Sequence, residues 1–259
     1  FAIPLMLGNI CQQLYTMVDT MVVGQIAGVE ALAALGAVDF LLWVVTGIST
    51  GLTQGFSIQL SQYYGAKDFE NLRKSLAHSY RLTAFIAVGV FILSQSFAAL
   101  VLTGLHTPSN IIGMSLLYLR IIFCGIPATA AYNMFAAALR AMGNSKTPLT
   151  AMIIASVLNI SLDILFVAGF GWGVAGAAIA TVIAQSFSAV YCFLILRRID
   201  IVHLSRADFM TAAGMNARLM KLGIPVVFQN IIIGVGGLVV QYVINGYGFL
   251  FVAGFTATN

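Results

Sequence analysis

Ser156, Asn159 and Asp163 stand three and four residues apart inside an apolar run, "SVLNISLDILF". That spacing places a hydroxyl, an amide and a carboxylate on one face of a helix. A second polar stripe, Asn9, Gln12 or Gln13, Thr16 and Asp19, recurs every three or four residues near the start of the chain. Both stripes end on a carboxylate. A charge at the centre of a membrane span costs at least about 2.5 kcal/mol, so such a residue faces a bundle interior or a water-filled cavity. A structural polar contact between helices is worth only about 0.6–2 kcal/mol. That accounts for Asn159, but not for Asp163, where an Asn would make the same contact without a charge. Two neighbouring carboxylates withdrawn from water resist holding two charges side by side, so they can take up and release a proton. With an amide carbonyl beside them they could equally ligate a sodium ion. The residue types leave both ions open.

The elements that must hold these groups are membrane helices. Of 259 residues, 60% are hydrophobic and 8% charged, with a mean hydropathy of +0.99, which excludes the soluble globular classes. Apolar runs of roughly 20 residues, the length that crosses a ~30 Å hydrocarbon core, predict an all-α, polytopic membrane protein. Seven spans are expected, at about 2–23, 33–56, 79–103, 111–137, 148–169, 174–196 and 225–247. The connections near 24–32, 104–110 and 170–173 hold no Lys or Arg, whereas the alternate ones hold eleven of the twelve basic residues. The positive-inside rule makes the basic side, and with it the N-terminus, cytoplasmic. Net charge +4 is then a topology signal and requires no nucleic acid. By the rise of 1.5 Å per residue, Asp19 lies about 24 Å and Asp163 about 22 Å from the cytoplasmic ends of their helices. If the two spans are neighbours, the two acids share one pocket in the outer half of the membrane.

Three further features shape the expected bundle. Pro127, in mid-span, is expected to kink the fourth span. Gly173/Ala177 and Gly176/Ala180 form a small-xxx-small pattern that lets helices approach, and "GVGG" at 234–237 is expected to do the same. In "LSRADFMTAAGMNARLMKLGIP", Ser205 with Asp208 reads as a capping box and Gly223 with Pro225 as a stop. The stretch is expected to form a short amphipathic helix, on the membrane surface or as a soluble linker. Beyond it "IPVVFQNI" resembles the opening "IPLMLGNI", and "GFLFVAGFTA" can be laid against "GVEALAALGA" with a one-residue slip. This suggests a repeat of six helices. The expected organisation is a first six-helix bundle over 1–196, a cytoplasmic amphipathic linker over 197–224, and the first helix of a truncated second bundle over 225–259. The opening, without an initiator Met or a charged n-region, is no signal peptide and reads as the inside of a first helix.

Other chemistries lack their residues. His78, His106 and His203 fall at span ends or in connections, so no metal site or enzyme is expected. Cys11, Cys124 and Cys192 lie in apolar segments as small hydrophobes. No HExxH, phosphate-binding loop, Ser/His/Asp set or channel filter is present. Asp39 and Arg120 lie within spans; they either pair with one another or leave Asp39 facing the outer mouth.

The segments "YTMVDTMVVGQIAGVEALAALG", "QLSQYYGAKDFENLRKSL", "ALRAMGNSKTPL" and "NISLDILFVAGFGWGVAGAAIATVIAQ" resemble, in order and topological place, the multidrug and toxic compound extrusion (MATE) family of cation-coupled exporters. The resemblance covers nearly the whole chain. It implies two six-helix bundles related by a pseudo-twofold axis, with this chain as the first bundle plus the seventh helix. It also implies that Asp19, Asn159 and Asp163 match the first-bundle site where the family binds protons or sodium, with Gln12, Thr16, Ser156 and Asp39 as cavity-lining candidates. A branch of the family carries an essential Glu in its seventh helix. No Asp or Glu follows Asp208 here, so the better match is the branch resembling DNA-damage-inducible protein F.

The expected function is therefore a proton- or sodium-coupled antiporter of the cell membrane, working by alternating access as a monomer among lipids. Its substrates would be amphipathic, often cationic, organic compounds, and no cofactor beyond the coupling ion is implied. The rivals are a lipid-intermediate flippase of the same superfamily, which would line its cavity with several cations, and a non-transporting receptor or scaffold, which would tolerate loss of both acids.

Overall fold

The computed structural model describes residues 2–210 and 214–258, the side chains of residues 2–5, 7, 9 and 11 excepted. Asn9 and Cys11 therefore lie outside the described side chains. The described chain is helical throughout: α1 (Ala2–Val22), α2 (Val29–Gly36), α3 (Asp39–Gly65), α4 (Phe69–Gly104), α5 (Ile112–Cys124), α6 (Ile126–Ala141), α7 (Lys146–Asp163), α8 (Gly173–Arg197), α9 (Met215–Asn245) and α10 (Phe249–Thr258). Five helices, taking α2 and α3 as one, are long and apolar enough to cross a membrane, and α5 with α6 makes a sixth once their bend is allowed. The 21-residue α1 is not among them, because Gln12, Gln13 and Asp19 dilute its apolar content.

Each helix starts and stops for local reasons. The Asp68 carboxylate caps α4, accepting from the Asn71 backbone N–H at 3.1 Å and from its side-chain amide at 2.7 Å. Those two bonds hold the Asp68 carboxyl below its ordinary range. Gly143, at φ +82°, turns the chain between α6 and α7. The expected kink at Pro127 is a 47° bend between α5 and α6. Proline sits in the first turn of α6, where no helical N–H is lost. Gly125 forms the corner because a methyl there would come within 2.7 Å of Val182 on α8.

The small-residue patterns act as close-approach points. At Gly176 a methyl would meet Phe166 at 2.9 Å. The "GVGG" stretch belongs to a longer seam between the antiparallel α3 and α9. Phe40 faces Gly237, Val44 faces Gly234, Gly47 faces Asn230, Gly51 faces Val227 and Gly55 faces Gly223. Each pair includes a glycine, so the helices approach closely along the seam, with backbone meeting backbone at Gly51 and Gly55. Asn230 adds a bond of 3.0 Å to the Gly47 carbonyl.

The expected separate linker helix does not form. Ser205 and Asp208 do make their capping box, with the Ser205 N–H donating to Asp208 Oδ2 at 2.7 Å, but it caps only a single 3-10 turn, Arg206–Phe209. Residues from Met215 onward are already the first turns of α9, which runs unbroken through Pro225. Met215 and Leu219 are buried against Leu60, Leu72 and Leu76, and that packing outweighs the bond lost at Pro225. The carbonyl left without a donor belongs to exposed Lys221, where water can serve it.

Two apolar clusters fill the bundle. One surrounds Leu52, Phe56, Leu139 and Leu196 toward the basic end, and the other surrounds Leu35, Leu102, Leu119 and Val174 at the far end. A third joins α2 to α10. Gly28 and Gly248 both adopt positive φ, +94° and +87°, each one residue before a short helix. Gly36 on α2 then packs against Thr256 on α10, and both stand eight residues beyond their glycine.

Candidate functional site

α7 presents Asn159 and Asp163 on its inward face, at 1% and 0% exposure, while Ser156 is half-buried one turn before. α1 packs along α7 and brings in Asp19, 6% exposed. The two spans expected to be neighbours are neighbours. Asp163 lies within the field of the Asp19 charge, and Asp19 within that of Asp39. Both oxygens of Asp163, Oδ1 of Asp19 and Oδ1 of Asn159 are buried without a hydrogen-bond partner. Buried polar atoms are almost always paired, and an unpaired buried carboxylate is among the costliest exceptions. Such oxygens have the chemistry of a site for a proton or a small cation.

Beside Asn159 lies a cavity of about 20 Å³ between α1, α6, α7 and α8, lined by Tyr15, Tyr132, Ser156, Thr181, Gln185 and Ser188 among others; neither acid lines it. A cavity needs at least about 10–15 Å³ on this measure to hold one water. The space therefore fits a single water-sized species and excludes an organic molecule. Asn159 is the shared member: its amide donates to Thr181 at 3.4 Å, a long bond, and its carbonyl oxygen is left free.

Of the other residues expected to line a cavity, Ser156 does so. Gln12 and Thr16 are exposed on α1, and the Thr16 hydroxyl donates to the Gln12 carbonyl at 3.0 Å. Asp39 starts α3 and is exposed. It does not pair with Arg120: among the described residues the ion pair present is Lys74–Glu70, at 2.6 Å. No group of three or more His, Cys, Asp and Glu side chains among the described residues is placed to hold a metal.

Three contributors escaped the sequence reading. Tyr118 on α5, 7% exposed, is buried in the far apolar cluster within the electrostatic field of Asp19, Asp39 and Asp163. Thr181 and Gln185 on α8 close the cavity opposite α7. Their one-turn spacing was a usable signal, whereas Tyr118 reads as an ordinary interior aromatic. The π-helical turns were also missed. Ile164–Gly169 follows Asp163 directly, Val23–Ala27 begins four residues after Asp19, and the two segments touch. Single π turns inside α-helices occur frequently at functional sites.

A family model described as MatE matches residues 4–165. The whole chain is 32% identical to 58% of the probable multidrug resistance protein YpnP of Bacillus subtilis. Over 98% of its length it is 23% identical to 57% of the multidrug export protein MepA of Staphylococcus saprophyticus. It thus spans a little over half the length of these curated relatives. Among solved structures, an inward-facing multidrug resistance MATE family transporter of the MOP superfamily superposes with a TM-score of 0.88 at 24% identity, over 95% of this chain and 56% of that one. An outward-facing transporter of the same description gives 0.82 at 25% identity, over 90% and 52%.

Proposed function

The chain belongs to the MatE family, and on that premise we propose that it forms the coupling half of a membrane antiporter exporting amphipathic organic compounds. One observation carries the reading: acids from two packed helices are buried without hydrogen-bond partners, and Asn159, one turn from Asp163, lines a cavity of about 20 Å³. A proton or sodium ion entering from outside binds at Asp19 and Asp163, with the Asn159 carbonyl as a further ligand. Neutralising the acids lets α1 and α7 close on one another, which changes how α1 packs or bends and favours release of the organic substrate. Loss of the ion to the cytoplasm, on the side of the basic connections, resets the cycle. The exported compound binds elsewhere, since this cavity holds nothing larger than a water or an ion.

The flippase reading needs several cations around a central cavity; the intramembrane cation expected from the sequence, Arg120, is exposed and pairs with none of the described acids. The deciding experiment uses the protein as its gene encodes it, in proteoliposomes, and follows efflux of a fluorescent cationic dye under an imposed proton or sodium gradient. Asp163→Asn is expected to lower gradient-driven efflux by about tenfold or more, as for loss of a coupling free energy of 1–3 kcal/mol. Full efflux by this variant would refute the assignment. The gradient that drives the wild type names the ion.

A further inference from the structure

The small cavity lies to one side of the acids, toward the basic end. On α7 its lining residues Asn159, Ser156 and Met152 precede Asp163 by one, two and three turns. α1 runs parallel to α7, with Gly8 against Leu149 and Met152, and Tyr15 precedes Asp19 by one turn. α8 runs the other way, so Thr181, Gln185 and Ser188 step from the level of Asn159 back toward Arg197. Ser188 is about 10 Å nearer the basic end than Thr181. One turn beyond each acid in the opposite direction stand Val23 and Val167, 0% and 2% exposed in the far apolar cluster. Along their own helices the acids thus meet apolar side chains outward and amides and hydroxyls inward. Asp39, exposed at the start of α3, is the acid at the outer end, where an ion arrives.

Both long walls of the cavity contribute an amide whose oxygen is buried without a partner among the described residues: Asn159 Oδ1 from α7 and Gln185 Oε1 from α8. The Ser156 hydroxyl donates to the Met152 carbonyl at 2.8 Å, which leaves its oxygen free to accept. Ser188, three residues beyond Gln185, is 3% exposed. Ala155 and Ala184 line the same space and keep it open by their size. A buried water makes two to four hydrogen bonds, and two amide oxygens with a serine oxygen meet that requirement. The same oxygens suit a small cation stripped of part of its hydration. Past Met152 and Ser188 the packing turns apolar again, at Ala151, Ala189, Cys192 and Leu196 of the basic-end cluster. The cavity is therefore a polar step with an apolar closure on its inner side.

We propose that the coupling ion leaves toward the basic side between α7 and α8, through a one-water site held by the Asn159 and Gln185 carbonyls, and on past Ser156 and Ser188. This rests on the coupling reading above and deepens it: Gln185 and Ser188 gain a task, and the ion gains a direction. The route opens when the apolar closure beyond Met152 and Ser188 parts. It carries water, protons or a bare cation, and nothing of organic size.

The test uses the protein as its gene encodes it, freed of its native cysteines, with Ser156→Cys or Ser188→Cys introduced singly. Vesicles of either orientation are exposed to silver ion in chloride-free buffer. Silver is a bare monovalent cation that binds thiols, so it can enter a space closed to organic reagents. Thiols that remain are counted with a maleimide after unfolding. Both variants are expected to react from the side that reaches the connection between α6 and α7. Their rates should exceed that of Ser115→Cys about tenfold or more, since that position needs a costlier opening. Ser115 is fully buried toward the far end, its hydroxyl donating to the Ala34 carbonyl at 3.1 Å. Each exchange alters a single side-chain atom, and the second position serves if the first variant fails to fold. Rates no higher than that of Ser115→Cys, or reaction from the opposite side alone, would overturn the route. Silver bound at Ser188→Cys should also stop gradient-driven efflux while the cysteine-free protein keeps it; continued efflux with the thiol fully occupied would overturn the route as well. The two readings fail separately. Full efflux by Asp163→Asn refutes the coupling site, whereas an inactive Asp163→Asn beside unreactive cysteines refutes the exit route alone.

Discussion

Asp163 is retained at a cost that an amide in its place would avoid. With both oxygens buried and unpartnered, it destabilises the fold unless a proton or cation is present. Asp163→Asn should therefore leave the thermal midpoint in detergent unchanged or raise it, even as export fails. Scanning fluorimetry on the purified variant, at a pH where the wild type transports, checks this. A fall of the midpoint by several degrees would make Asp163 a structural residue. The two acids and Asn159 were legible in the sequence because polar residues at helical spacing in an apolar run are rare enough to stand out. Tyr118 was not legible: an aromatic inside a span looks the same whether or not buried carboxylates lie in the same end of the bundle. Thr181 and Gln185 were visible as residue types, but only the packing of α8 on α7 gives them a role.

Among the elements, spans, bends and close-approach points were readable, since each rests on length, proline or glycine. The start of α9 was misjudged, because Gly223 and Pro225 carry a stop signal that holds in water and fails where burial of Met215 and Leu219 drives the helix onward. The π turns after Asp19 and Asp163 leave no mark in composition at all. The glycine seam allows a sharp test. A methyl at Gly55 would collide with the backbone of Gly223, whereas one at Gly89 on α4 would meet nothing within 4 Å. Gly55→Ala should destabilise by about 1–3 kcal/mol, the usual range for overpacking. Gly89→Ala should be neutral or stabilise by about 0.5–1 kcal/mol. Thermal unfolding of the two variants side by side separates them, and equal midpoints would mean that α3 and α9 do not touch there.

For the whole molecule, the alternation of basic and neutral connections implies one orientation. Cysteines placed at Asn144 and at Ser109, in a background without Cys11, Cys124 and Cys192, should react with a membrane-impermeant maleimide from opposite sides, Ser109→Cys in intact cells and Asn144→Cys only after permeabilisation. The reverse pattern would place the basic side outward and invert the direction of the transport cycle. The repeat was legible in outline from its two Ile-Pro openings, but the meeting of Gly36 with Thr256 was not, since it depends on two chain turns at glycines of positive φ. The seam between α3 and α9 also bears on how such a chain can change over time. Its pairs advance in step for the length of both helices, and each residue inserted or removed turns a helix by about 100°. A single deletion between Gly223 and Gly237 would swing every later glycine off its contact at once. The stretch can therefore absorb many changes of side chain on the face turned away from α3 and almost no change of length, so among descendants of this chain the count of residues there should outlast their identity.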